Sequence, residues 1–107
     1  MRWSVDGLMV ATSVFDAATL HLSVCPACQC GHSARFEAHG LWWHFQRRGW
    51  DDRLDVARAR FWCRVCGSRD RRKVRPVRLD ALPWRAGDFE LPMPDEREWK
   101  RAVARVR

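Results

Sequence analysis

Two cysteine pairs, Cys25-Pro26-Ala27-Cys28 and Cys63-Arg64-Val65-Cys66, constrain this chain more than any other feature in it. Thiolates three positions apart close on one ion through a tight turn, and two such pairs supply the four soft ligands of a tetrahedral Zn²⁺ site. The spacing predicts one structural zinc held by Cys25, Cys28, Cys63 and Cys66. Five cysteines, an odd number, in this pattern fit reduced metal thiolates better than a disulfide framework. The 34 residues between the pairs exceed the usual interval, which implies an inserted element, helical in character.

A chain of 107 residues is one domain that buries only about two-thirds of its unfolded-state surface. Zinc binding worth roughly 10–16 kcal/mol would exceed the net stability of a typical domain, about 5–15 kcal/mol, so chelation is expected to unfold it. No apolar run approaches the roughly 18 residues needed to span a bilayer, and the first 24 residues lack the basic start and apolar middle of a signal peptide. A cytoplasmic protein with no membrane partner is the expectation.

Charge is distributed unevenly. Residues 1–34 carry a net charge of −1, from Arg2, Asp6 and Asp16. Residues 60–79 carry +7, equal to the formal charge of the whole chain, from Arg60, Arg64, Arg69, Arg71, Arg72, Lys73, Arg75 and Arg78 against Asp70. Such asymmetry points to a polyanionic partner, although a GC-rich genome also enriches Arg.

Along the chain, Trp3-Ser4-Val5 and Leu8-Met9-Val10 flank Asp6-Gly7, which predicts an N-terminal hairpin with a type I′ turn. Ser13 to Ala18 has room for one helical turn but sets no period. Leu20, Leu22 and Val24 alternate with Thr19, His21 and Ser23, the pattern of a half-buried strand, and Ser33 to Glu37 reads as its return. Leu41 to Gly49 reads as a helix stopped by glycine, followed by a second helix from Asp51 or Asp52 to about Ala59. Phe61-Trp62 and Arg72 to Leu79 read as strands around the second pair, the latter at a sheet edge because of Pro76. Residues 80–94 form a connector pinned by Trp84 and Phe89. Residues 95–107 form an amphipathic helix whose stripe is Trp99, Val103 and Val106, with acids early and bases late to suit the macrodipole.

Paired cysteine knuckles flanked by strands resemble the zinc ribbon family. More loosely, Cys30-Gly31-His32-Ser33-Ala34, Gly49-Trp50-Asp51 and Cys63 through Arg69 look like a group of small alphaproteobacterial zinc-ribbon proteins, over about residues 20–79. That likeness implies no activity. With the elements read above, the expected fold is α+β: a small zinc ribbon (19–79) with a helical insertion between the knuckles, an N-terminal β-hairpin (1–18), a connector (80–94) and a C-terminal amphipathic helix (95–107). In the usual knuckle Gly follows the second cysteine, as Gly67 follows Cys66. The first pair departs from this, since Gln29 follows Cys28 and Gly31 follows Cys30. Cys28 with Cys30, Cys25 with Cys30, and His32 in place of a cysteine are therefore open alternatives.

Four thiolates leave no open coordination position, and His39 and His44 stand five apart rather than on one helical face. No enzyme is expected. The favoured reading is binding of DNA or RNA through phosphate contacts from Arg69, Arg71, Arg72, Lys73, Arg75 and Arg78, helped by Arg47, Arg48 and the C-terminal bases, with Trp43 as an exposed stacking ring. A rival reading is a protein-interaction adaptor or inhibitor module that uses the Trp-rich insert or the C-terminal helix. Homodimerisation through the same apolar surface is a further reading. The plainest reading is a solvated basic edge that prevents sheet pairing, with indoles filling a core short of aliphatic volume.

Overall fold

Ser13 fixes the start of the first helix. In the computed structural model, which describes residues 2–3 and 9–106, its hydroxyl accepts from the amide of Asp16 at 3.0 Å and caps α1 (Val14–Thr19). Val14, Ala17 and Ala18 on that helix are fully buried. The short strands β1 (Arg2–Trp3) and β2 (Met9–Val10) precede it and pair antiparallel. Trp3 lies opposite Met9, one residue away from the Val10 that a two-residue Asp6-Gly7 turn would place there; the turn lies outside the described residues.

The organising strand is β3 (Leu22–Ala27), central in an antiparallel sheet of order β4-β3-β5, with β4 at Phe36–Glu37 and β5 at Arg78–Pro83. Alternation predicted a strand with one wet face. Instead Ser23, Val24, Cys25 and Pro26 are all buried. The polar face is covered by the connector, where Asp88 accepts a 2.7 Å bond from the Ser23 hydroxyl and a 2.8 Å bond from Arg35 Nε. The connector is therefore held by Asp88, by backbone bonds from Phe89 N to Arg35 O and from Glu37 N to Phe89 O, and by Leu91. Of the two side chains expected to pin it, Trp84 is exposed, while Phe89, also exposed, lays its ring 5.6 Å from that of Phe36. Gly40 is required where the connector crosses the next helix, because a Cβ there would stand 2.5 Å from the carbonyl oxygen of Leu91.

That helix, α2 (Ala38–Arg48), is capped at its start by the Glu37 carboxylate, which accepts from the amides of His39 and Gly40, and is closed by Gly49 in the left-handed region, φ +66°. Leu41, Trp42 and Phe45 form its buried stripe. The second inserted helix shrinks to α3 (Leu54–Ala57) and a 3₁₀ turn at Arg58–Arg60. Neither aspartate caps it: Asp51 pairs with Arg53, and Asp52 accepts from the amide of Phe15, tying the segment to α1.

The C-terminal helix α5 (Glu96–Val106) docks through Trp99 of the expected stripe and through Ala102, whereas Val103 is half-buried outside the core cluster and the Val106 side chain lies outside the described residues. Trp99 lies 5.4 Å from Phe15 and 5.3 Å from Trp42 between ring centroids, and Ala102 is buried beside them. The result is an α+β fold whose core joins α1, α2, β3 and α5, while a separate small cluster gathers Cys28, Cys63, Cys66 and Val74. Among the described residues no helix is long and apolar enough to cross a membrane.

Candidate metal centre

At the end of β3 the chain reverses within a few residues. The amide of Gly31 donates to the carbonyl of Cys28 at 3.0 Å, the amide of Cys28 donates to that of His32 at 2.8 Å, and Ala27 bridges Ser33. Gly31 supplies the positive φ of +95° that the turn needs. Cys28 and Cys30 thus stand on one tight turn, two residues apart.

The other half of the site is helical. Cys63 caps α4 (Arg64–Asp70): its sulfur accepts from the amide of Cys66 at 3.4 Å, and its carbonyl accepts from the amide of Gly67 at 2.9 Å. The amide of Cys63 also donates to the carbonyl of Val74 at 2.7 Å, closing residues 63–74 into a loop whose Val74 side chain packs on the sulfurs.

These turns bring Cys28, Cys30, Cys63 and Cys66 together with all four Sγ atoms within 4.8 Å of one another. Cys28 Sγ lies 3.6 Å from Cys66 Sγ, and Cys30 Sγ lies 3.6 Å from Cys63 Sγ. A disulfide would need about 2.05 Å. A tetrahedron of sulfurs around an ion at roughly 2.3 Å has edges of about 3.8 Å, so the donor set and its dimensions fit a four-coordinate metal ion and are consistent with a zinc-binding site. Cys28, Cys63 and Cys66 are buried and Cys30 is exposed.

The local electrostatics split the thiols of this cluster. The bond from the Cys66 amide lowers the Cys63 thiol to about 7, whereas burial among neighbouring sulfurs pushes Cys66 up to about 12. A cation entering the cluster would displace the remaining protons, which is the usual linkage of metal binding to thiol ionisation. Arg69 Nη2, 3.6 Å from Cys66 Sγ, brings a positive charge to the rim.

Cys25, expected as a ligand, lies outside the cluster. It sits in the middle of β3, opposite Asp80 of β5, with its thiol directed to the carbonyl of Ser23 at 3.9 Å. A CxxC knuckle would require the backbone to turn at Cys25, and the pairing of β3 with β5 along its full length forbids that. Burial pushes the Cys25 thiol up, as expected of an inert core cysteine. Cys30 takes its place, one of the alternatives left open above. His32 is exposed and meets the turn through its carbonyl.

The basic residues expected on an edge strand are arranged otherwise. Arg69 lies on α4, Arg71, Arg72, Lys73 and Arg75 lie in the irregular return from it, and only Arg78 belongs to a strand. All six are exposed. Arg69 pairs with Asp70 and Arg78 with Asp80, while Arg75 donates to the carbonyl of Ala59. Phe61-Trp62 is likewise irregular, and Trp62 is 53% exposed with Lys73 Nζ 4.8 Å from its ring centroid. Arg47 and Arg48 lie on the last turn of α2. Trp43 there is half-buried and carries the Arg47 guanidinium at 5.8 Å. Trp62 and Arg64 were not among the residues singled out for binding, although their place beside Cys63 put them next to the cysteine cluster.

Fold and site together define the class: a small α+β domain with a four-cysteine cluster able to hold a metal ion. Comparison with protein-family models, with curated proteins and with solved structures gives no match.

Proposed function

We propose that this is a non-enzymatic nucleic-acid-binding domain in which one zinc ion, held by Cys28, Cys30, Cys63 and Cys66, shapes a basic loop that tracks a phosphate backbone. The observation that carries the reading is the exposure of Arg64, Arg71, Arg72 and Lys73 on the loop that the sulfurs close. Among the described residues none of these four forms a direct ion pair, in contrast to Arg69 and Arg78, although the charge of Arg72 also acts on Asp70. A guanidinium without a carboxylate partner can fork onto phosphate oxygens and displace a counterion.

Zinc suits the four soft sulfurs, and four thiolates fill a tetrahedral shell without leaving a position for substrate or water, which is the arrangement of a structural site. The role of the ion is then to fold the loop. The one helix in the loop, α4, is seven residues long and presents Arg64 and Arg69, side chains suited to phosphates, so backbone contacts dominate in this reading.

The test is the salt dependence of binding to a DNA duplex. Each phosphate contact contributes roughly 0.9 to the slope of log K against log salt, so Arg71→Ala with Arg72→Ala should lower the slope by about 1.5–2 and weaken binding throughout. An unchanged slope and affinity would remove these residues from the interface. Retention of a protein partner on the immobilised domain after nuclease treatment, with no DNA or RNA bound, would favour an adaptor instead.

A further inference from the structure

Between α2 and the segment leading into Cys63 lies an open cleft of about 410 Å³, a size typical of small-molecule sites. Its walls are aromatic: Phe45, Trp50, Phe61 and Trp62 line it, with Arg60 and Arg64 among the lining residues. Among the described residues no carboxylate lines it. Phe45 and Trp50 meet edge to face at 5.4 Å, and the Trp50 ring is in turn flanked by guanidinium groups, Arg60 at 4.4 Å and Arg48 at 5.5 Å from its centroid. Trp62 is the exposed wall, and the residue after it is the metal-site cysteine that begins the basic loop.

Such a cleft suits a planar group that carries negative charge beside it. An apolar peptide side chain would use the rings but leave the arginines unmatched, and an acidic one would use the arginines but not the rings. A nucleobase with its flanking phosphates uses both, because every base has a π-face to stack on an indole and phosphates to meet Arg60 and Arg64. Bases within a duplex are already stacked, and their faces are not available. We propose that this cleft receives one unstacked base of a single-stranded nucleic acid, so that the protein prefers single strands to duplex. The inference rests on the basic-loop reading above and adds to it the form of the nucleic acid.

Three labelled probes of about 20 nucleotides separate the two claims in anisotropy titrations at one salt concentration: oligo(dT), an abasic strand of equal length, and the oligo(dA)·oligo(dT) duplex. Oligo(dT) should bind about tenfold more tightly than either of the others. Trp62→Ala should abolish that margin while leaving zinc content and circular dichroism unchanged, and Trp62→Phe, which keeps a π-face, should retain most of it. Equal affinity for oligo(dT) and the abasic strand, or a margin that survives Trp62→Ala, would overturn the cleft assignment. If that equality is accompanied by weaker binding of all probes to the Arg71→Ala, Arg72→Ala variant, the cleft assignment falls and the basic loop stands. Absence of binding to every probe at low salt would overturn both.

Discussion

A single carboxylate fastens the connector to the sheet. Asp88 accepts from the Ser23 hydroxyl, from Arg35 Nε and, at 3.0 Å, from the amide of Arg85. Burial works against its charge, but these three donors outweigh it and hold the carboxyl at about 2, below the model-peptide value of 3.8. A carboxyl that is more acidic in the folded state contributes stability that is fully present above the unfolded value and is lost as pH falls through the folded one. Asp88→Asn should therefore be less stable than the native protein in urea by a difference that stays constant from pH 7 to about 4 and narrows only below that. A difference that narrows between pH 7 and 5 would assign the effect to another group. Loss of any ion bound by the cysteine cluster at low pH would affect both proteins and leave the comparison intact.

At the scale of elements, the cysteine cluster ties the end of β3 to α4 and lies apart from the main core, in which Val24 and Phe45 are buried between α1, α2 and β3. Whole-chain unfolding on chelation, expected from the size of the zinc term alone, gives way to a graded expectation. In hydrogen exchange after chelation, the amides of Cys63 and Gly67, bonded to Val74 and Cys63, should lose protection first, while β3 and α2 keep most of theirs. Simultaneous loss across both regions would show one cooperative unit.

The elements also show what could be read from sequence. Gly49 as the stop of α2 and the Trp99 face of α5 were legible because glycine and helical periodicity act locally. The burial of Ser23 was not, since its partner Asp88 lies 65 residues away and turns an apparently wet face of β3 into a covered one. The α4 helix escaped for a related reason. Arg64 to Asp70 has no apolar period, and its cap is a cysteine sulfur whose orientation depends on the cluster it joins. For the cluster itself, the glycine after Cys30 was the informative signal, and the CxxC spacing of Cys25 with Cys28 was the misleading one.

For the whole molecule, a metal bound by the four cysteines would be the organiser of the proposed binding surface. A formal net charge of +7 on 107 residues attracts polyanions from a distance. The cysteine cluster adds shape: it fixes the loop that carries Arg64, Arg71, Arg72 and Lys73 and sets Trp62 at the edge of the aromatic cleft. The most direct test is zinc per chain in protein purified without chelator, measured for the native chain and for Cys25→Ser and Cys30→Ser. Assignment of the ion to Cys28, Cys30, Cys63 and Cys66 requires about one zinc in the native chain and in Cys25→Ser, with Cys30→Ser falling well below half or binding far more weakly under chelator competition. Zinc retained by Cys30→Ser and lost from Cys25→Ser would contradict it, and so would a native chain without zinc.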